Sequence, residues 1–431
     1  MKVAVIGSGI AGLSAAWLLG ERHRVTLYEA LEQPGMGAHG VEVEGLVADV
    51  PLRVFYEGYY QQLLALYAEV GVEAVRSDYS TTLCHPGGEA YYSYHNRRPG
   101  LSTLLSFLSP RAWRRTSRRI NLDLLRYYRE APRDFARGDH AGETIGDYVA
   151  RCGYSREFVQ LFLLPAYAGI GTCSYARVRG YPAEVLNEYM SNGKFFTGVL
   201  TAKHGTPDVV ARLTQRVAEE RYGCPVAGVR REGEDVVVTD PAGAEERFDH
   251  AVIATQANHA RAFVSDPTAG EERFLGAFRY ESSEVVMHRD PSVMPRRRAD
   301  WAPVNFVVDP AAERPMATIW TNAVQPKLRE APDLFQTWAP LGELDPARVI
   351  ARTRVERPGV DEGTLRALEE LEALHREPER RLWFCGSYAA RGIPLLESGV
   401  RSAIAVARRL DAAPPWESGA PLAQVQASGA P

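Results

Sequence analysis

Residues 1–30 leave few folds open to this chain. Val3, Ala4, Val5 and Ile6 form a short apolar run of the kind buried on both faces of a parallel sheet. Gly7-Ser8-Gly9-Ile10-Ala11-Gly12 follow and match G-x-G-x-x-G. Leu13, Ala16, Trp17, Leu18 and Leu19 continue as a helix with an apolar face, and a second strand over 23–27 leads to Glu29. Gly7 permits a tight turn that a side chain would forbid. Gly9 lets the main chain approach a pyrophosphate, and Gly12 lets helix and strand pack closely. The helix start then offers free N–H groups and the positive end of its dipole to phosphates, with Ile10 and Ala11 in its first turn. Glu29, with Ala30 beside it, stands about 20 residues beyond the central glycine, where an acid accepts hydrogen bonds from ribose hydroxyls. The glycine motif alone is a weak signal; strand, turn, helix, strand and acid in this order point to a dinucleotide.

The remaining composition excludes other classes. A chain of 431 residues accommodates two or three domains. With 45% hydrophobic and 24% charged residues it reads as soluble and globular, and a net charge of −4 argues against nucleic acid as a partner. Cys84, Cys152, Cys173, Cys224 and Cys385 are scattered and show no C-x-x-C. A disulfide framework or a metal site is therefore not expected, and a reduced cytoplasmic protein is. The first apolar run is already the nucleotide-binding strand, so no signal peptide is read, and no apolar segment approaches bilayer length.

Along the chain, Gly35, Gly37 and Gly40 form a glycine-rich loop near the ribose end, and strands over 41–43 and 46–48 form a pair. Arg53 sits in an otherwise apolar stretch, either as a paired structural arginine or as a contact to a pyrophosphate or an anionic substrate. A helix is expected over 59–70, short strands over 72–94 and helix again over 101–135. Arginines crowd 111–133, so this helix is either an ordinary solvated face or a basic amphipathic surface for peripheral membrane contact. Tyr167, Tyr175 and Tyr181, among small residues, are pocket candidates or ordinary core tyrosines. A helix is expected over 208–221, then a strand meander over 226–248 and an apolar strand over 251–255. Strands over 274–280, 283–288, 304–308, 317–321 and 334–338 read as a mixed sheet. The end, 412–431, is rich in Ala, Pro, Gly and Ser and reads as a disordered tail.

Three separated pieces line up: the N-terminal fingerprint, the 251–255 strand, and Phe384-Cys385-Gly386 followed by Glu397-Ser398-Gly399 at a helix start. Together they resemble the flavin-containing amine oxidase superfamily, which includes phytoene desaturases and protoporphyrinogen oxidase. Val285-Val286-Met287-His288-Arg289-Asp290 and Trp383-Phe384-Cys385-Gly386 are similar to a bacterial group of predicted NAD/FAD-binding proteins. The resemblance implies an α/β chain: a Rossmann-like FAD-binding domain with an inserted α+β substrate domain that contains a mixed sheet and a helical part. The FAD domain would comprise 1–75, 200–262 and 378–411, and the substrate domain 76–199 and 263–377. FAD would be non-covalent. It would be held at Gly7, Gly9, Gly12 and Glu29, at Val226 near adenine, at Gly386 near the ribityl phosphate, and at Ser398, Gly399 and Val400 near the flavin N1–O2 edge.

The chemistry implied is hydride transfer from an apolar substrate (lipid-like, polyene or amine) to flavin. A redox-neutral double-bond isomerase is one alternative, and a non-catalytic FAD- or NAD(P)-binding protein is another. Amine oxidases of this superfamily usually add a lysine near flavin N5, for which Lys203 and Lys327 are the internal candidates. Lys203, Tyr167 and Tyr175 are the catalytic candidates.

Overall fold

The structure, a computed structural model, describes residues 1–35, 39–43, 45–96, 113–139, 142–192 and 198–417. A five-stranded parallel sheet lies at its centre, in the order Leu382–Phe384, His250–Ile253, Lys2–Ile6, Arg24–Tyr28, Glu219–Arg221. Its register pairs Val5 with both Val252 and Leu27. Its strands come from the start, middle and end of the chain. Val3, Ala4 and Val5 are fully buried, as a strand covered on both faces must be.

Helix Ile10–Leu19 follows the first strand, and every one of its residues is buried. A helix buried all round has a neighbour on its outer side, and here that neighbour is helix Leu396–Arg409. The contact is close because Gly399 has no side chain: a Cβ there would meet Ile10 Cγ2 at 2.6 Å. Buried Glu397 accepts from the N–H groups of Gln62 and Leu63 at 3.0 and 2.9 Å, which fixes the start of helix Gln61–Glu69.

A seven-stranded mixed sheet forms the second layer, ordered Val349–Pro358, Tyr280–His288, Phe335–Trp338, Met316–Trp320, Val304–Val307, Thr81–Cys84, Ala90–Tyr94. The 274–280 segment is not the strand expected. Helix Ala269–Gly276 occupies its first part, opened by a capping box between Thr268 and Glu271, and the strand begins only at Tyr280. The helix expected over 208–221 ends at Leu213, and Glu219–Arg221 instead joins the parallel sheet as its edge. Strand Val349–Pro358 and helix Glu362–Leu374 were not anticipated. Residues 412–417, expected in a disordered tail, pack on the body: Ala412 is buried and Trp416 Nε1 donates to Gln62 Oε1 at 2.9 Å. Residues 418–431 lie outside the described residues.

The basic segment forms helix Arg115–Arg137. Ile120, Leu124, Tyr127 and Ala131 bury one face, while Leu122 and Leu125 are exposed with Arg118, Arg119 and Arg129. Arg111 lies outside the described residues. No helix among the described residues is long and apolar enough to cross a membrane.

Two buried histidines are structural. His288, in the Val285–Asp290 motif, shares a hydrogen bond with Thr337 Oγ1 at 2.7 Å, and its Nδ1 accepts from the Asp290 N–H at 3.1 Å. His375 Nε2 accepts from the Phe384 N–H at 3.2 Å. Burial lowers their pKa values from 6.5 to about 4 and about 3. The unfolded chain therefore binds more protons below pH 6.5. Their contribution to stability is complete above that pH and is lost as pH falls toward the folded values. Urea unfolding is expected to show a stability loss from about pH 7 down to about pH 3, with a shallower slope in His375→Gln.

Candidate active site

The carboxyl ends of the parallel strands open into one cavity of about 930 Å³. Ile6 leads into lining residues Gly7–Ala11, Tyr28 into Glu29–Leu31, Ile253 into Ala254–Gln256, and Phe384 into Gly386–Tyr388. This crevice is where open α/β sheets bind ligands.

Each fingerprint glycine answers a different constraint. Gly7 has φ +102° and faces the Ala254 backbone at 3.1 Å from a would-be Cβ. At Gly12 a Cβ would lie 1.8 Å from the Gly7 oxygen, so the strand–helix turn cannot close around a side chain. Gly9 is different. Its backbone is extended, at φ −65° and ψ 173°, and a Cβ would meet nothing within 4 Å. Neither conformation nor packing within the chain calls for glycine there; a ligand lying against the backbone does. No side chain caps helix Ile10–Leu19 or helix Leu396–Arg409, so both starts present N–H groups without side-chain acceptors.

Glu29 stands at the rim. Its Oε2 accepts from Ser8 N–H at 3.0 Å and Ser8 Oγ–H at 2.6 Å, and its Oε1 from Leu31 N–H at 3.0 Å. The carboxylate is thereby fixed beside the Gly7–Gly12 turn. Ala30 and Val226 also line the cavity. Gly37 lies outside the described residues. Gly386 lines it too, and its N–H donates to Ser402 Oγ at 2.9 Å. Ser398, Gly399 and Val400 are not among the lining residues. Ser398 Oγ donates to Ile393 O at 2.8 Å, Gly399 abuts Ile10, and Val400 is core, so Pro394, Leu395 and Leu396 face the cavity instead.

Aromatic side chains, among them Tyr56, Tyr60, Tyr167, Tyr189, Phe162 and Phe306, also line the cavity. Phe162 lies in a π-helical turn, Val159–Leu163, whose Leu161 carbonyl accepts from Tyr91 Oη at 2.6 Å. The Tyr167 hydroxyl donates to Leu186 O at 3.0 Å, and burial raises its pKa, so it serves as a neutral wall. Tyr175 is buried but does not line the cavity. Lys203 is ion-paired with Glu73 at 2.6 Å, outside the cavity. Lys203 and Lys327 both line a separate small void beside Asp49. Arg53 borders both spaces; burial lowers its pKa to about 10 against the opposing pull of Asp49. Cys173 behaves as a buried hydrophobe, its thiol pushed up to about 12 by burial. No cluster of metal-ligating side chains occurs among the described residues.

Sequence reading missed Thr172 and Arg357. Thr172 lines the cavity at φ +49°, unusual for a β-branched residue, with its buried hydroxyl lacking a partner. Nothing in the sequence marks that backbone conformation. Arg357 is the penultimate residue of the unanticipated strand, whose alternation was available as a signal.

The class to which the chain belongs, FAD-dependent oxidoreductases, is given by its family. The flavin-containing amine oxidoreductase family model matches residues 10–298, and the chain belongs to that family. No curated protein matches the sequence. Among solved structures, the chain is similar to a CLA-producing fatty acid isomerase from P. acnes, with 14% identity, TM-score 0.68 and coverage of 94% of this chain and 98% of that one. It is similar to a putrescine oxidase bound to putrescine at 13% identity and TM-score 0.64, covering 96% and 99%. A cyclohexylamine oxidase from Brevibacterium oxydans gives 14% and 0.61, covering 95% and 99%. Likeness at these identities is likeness of fold.

The cradle fits FAD, with its open Gly9 approach, uncapped helix starts and anchored Glu29 carboxylate. When bound, FAD supplies a hydride acceptor.

Proposed function

We propose that this enzyme takes a hydride from an apolar, lipid-like substrate that fills the part of the cavity lined by aromatic side chains. The observation that carries the reading is continuity: the cofactor cradle and the aromatic walls bound a single space. In this reading Gly7–Ala11 and Glu29 hold the adenosine diphosphate half of FAD, and the start of helix Leu396–Arg409 faces the flavin. Tyr56, Tyr60 and Tyr189 pack edge-to-face, and burial keeps their hydroxyls protonated. They orient an apolar chain and exclude water.

A second reading, redox-neutral double-bond isomerisation, is favoured by the lysines. Neither Lys203 nor Lys327 lines the large cavity, whereas the oxidase chemistry implied by resemblance uses a lysine beside the flavin. Mixing holoenzyme anaerobically with saturated, unsaturated and polyene lipids separates the two. Bleaching of oxidised flavin by a saturated or monounsaturated lipid is the expected result. Product formation with unchanged flavin colour would establish the isomerase. Bleaching by short amines alone would contradict an apolar substrate.

A further inference from the structure

Arg357 is the penultimate residue of strand Val349–Pro358, in which Val349, Ala351, Thr353 and Val355 are half-buried and Ile350, Arg352 and Arg354 exposed, with Arg354 also lining the cavity. The alternation places Arg357 on the inward face, where the preceding positions are small or apolar. It lines the large cavity, and burial lowers its pKa. Arg357 is half-buried, and a cation withdrawn from water is ordinarily paired with a carboxylate. The residue directly across the sheet is Glu281, but its carboxylate is already engaged. Arg177 Nε donates to it at 3.1 Å, Ser174 N–H at 2.9 Å, and Arg314 lies at 3.6 Å. Among the described residues Arg357 makes no ion pair, and its one hydrogen bond is a long one, Nη1 to Pro394 O at 3.4 Å.

Two further arginines, Arg53 and Arg354, line the same cavity. Arg357 helps to push the Arg53 pKa down, so the two cations sense each other. Of the two carboxylates in the lining, Glu29 is held by Ser8 and Leu31, and Glu356 accepts from Asn258 Nδ2 at 3.1 Å. Arg357 reaches Pro394, in the loop entering helix Leu396–Arg409, and interacts with Tyr60, and all three line the cavity. A cation left without a counter-charge in an apolar, aromatic space matches an anionic head on an apolar body.

We propose that Arg357 binds the acidic headgroup of the substrate, making this an enzyme for apolar carboxylic acids rather than for amines. The assignment rests on the reading that an apolar substrate enters this cavity. It is tested by titrating oxidised holoenzyme with dodecanoate, dodecyl phosphate, dodecanol and dodecylamine and following the flavin spectrum. The wild type is expected to bind dodecanoate about 10- to 100-fold more tightly than dodecanol or dodecylamine. Arg357→Gln is expected to lose that margin while keeping its flavin and its affinity for dodecanol, and Arg357→Lys to recover part of it. Tighter binding of dodecyl phosphate than of dodecanoate would overturn the carboxylate assignment. Equal binding of acid and alcohol would overturn the role of Arg357 and leave the apolar-substrate reading standing. Failure of all four probes to perturb bound flavin would overturn both. Loss of flavin from Arg357→Gln and Arg357→Lys alike would make the residue a cofactor anchor and end the proposal.

Discussion

Gly12→Ala is expected to lower sharply both the urea midpoint and the yield of soluble, folded protein. The added Cβ would sit 1.8 Å from the Gly7 carbonyl oxygen and 3.0 Å from its carbon. Both are backbone atoms of the turn that joins the first strand to its helix. No rotamer relieves the overlap, because the offending atom is the Cβ itself. The helix can retreat only into helix Leu396–Arg409, whose Gly399 already abuts Ile10. Overpacking of well-filled cores costs about 1–3 kcal/mol, and a backbone clash in the central layer belongs at or above the top of that range. Set against a total stability of roughly 5–15 kcal/mol, that removes a large share of the margin that keeps the chain folded. Soluble yield and the urea midpoint measure it; a variant with wild-type midpoint would contradict the turn geometry.

Gly9→Leu is expected to do the opposite: a folded protein of near wild-type stability that has lost its flavin. The Gly9 backbone suits any residue, and its Cβ direction meets nothing within 4 Å. A leucine there projects toward the space that the phosphates need. The expected fall in FAD affinity is roughly 10- to 100-fold or more, taking steric intrusion at about 1–3 kcal/mol. Circular dichroism and urea unfolding report the fold, and absorbance of the purified protein reports the flavin. Two glycines three residues apart would thus fail in different ways, one through packing and one through ligand exclusion.

The same contrast shows what the sequence could reveal. The fingerprint was legible because its constraints are local: a tight turn, a close approach and an acid at fixed spacing. The 269–276 helix was misread because Phe274, Leu275, Phe278 and Tyr280 suit either period. The deciding signal, Thr268 with Glu271 three residues later, lies ahead of the apolar run. Glu219–Arg221 carries no hydrophobic signature, since a short, charged edge strand owes its place to Arg24–Tyr28 beside it. Arg357 could be seen as a charge at an inward position of an alternating strand. That Glu281 opposite was already taken by Arg177 and Ser174 is a tertiary fact beyond the reach of spacing. Ser398, Gly399 and Val400 do not line the cavity, because the Ser398 side chain bonds back to Ile393 and Gly399 packs on Ile10; Pro394, Leu395 and Leu396 line it instead.

Everything from the strand ends to the aromatic wall depends on a two-phosphate linker resting against Gly9 and the uncapped start of helix Ile10–Leu19. The most direct test is the FAD content of the protein as purified, measured after denaturation and again after incubation with added FAD. Stoichiometric FAD, released on unfolding and missing from Gly9→Leu, is the predicted result. A wild-type protein that is colourless and stays so in excess FAD would contradict it.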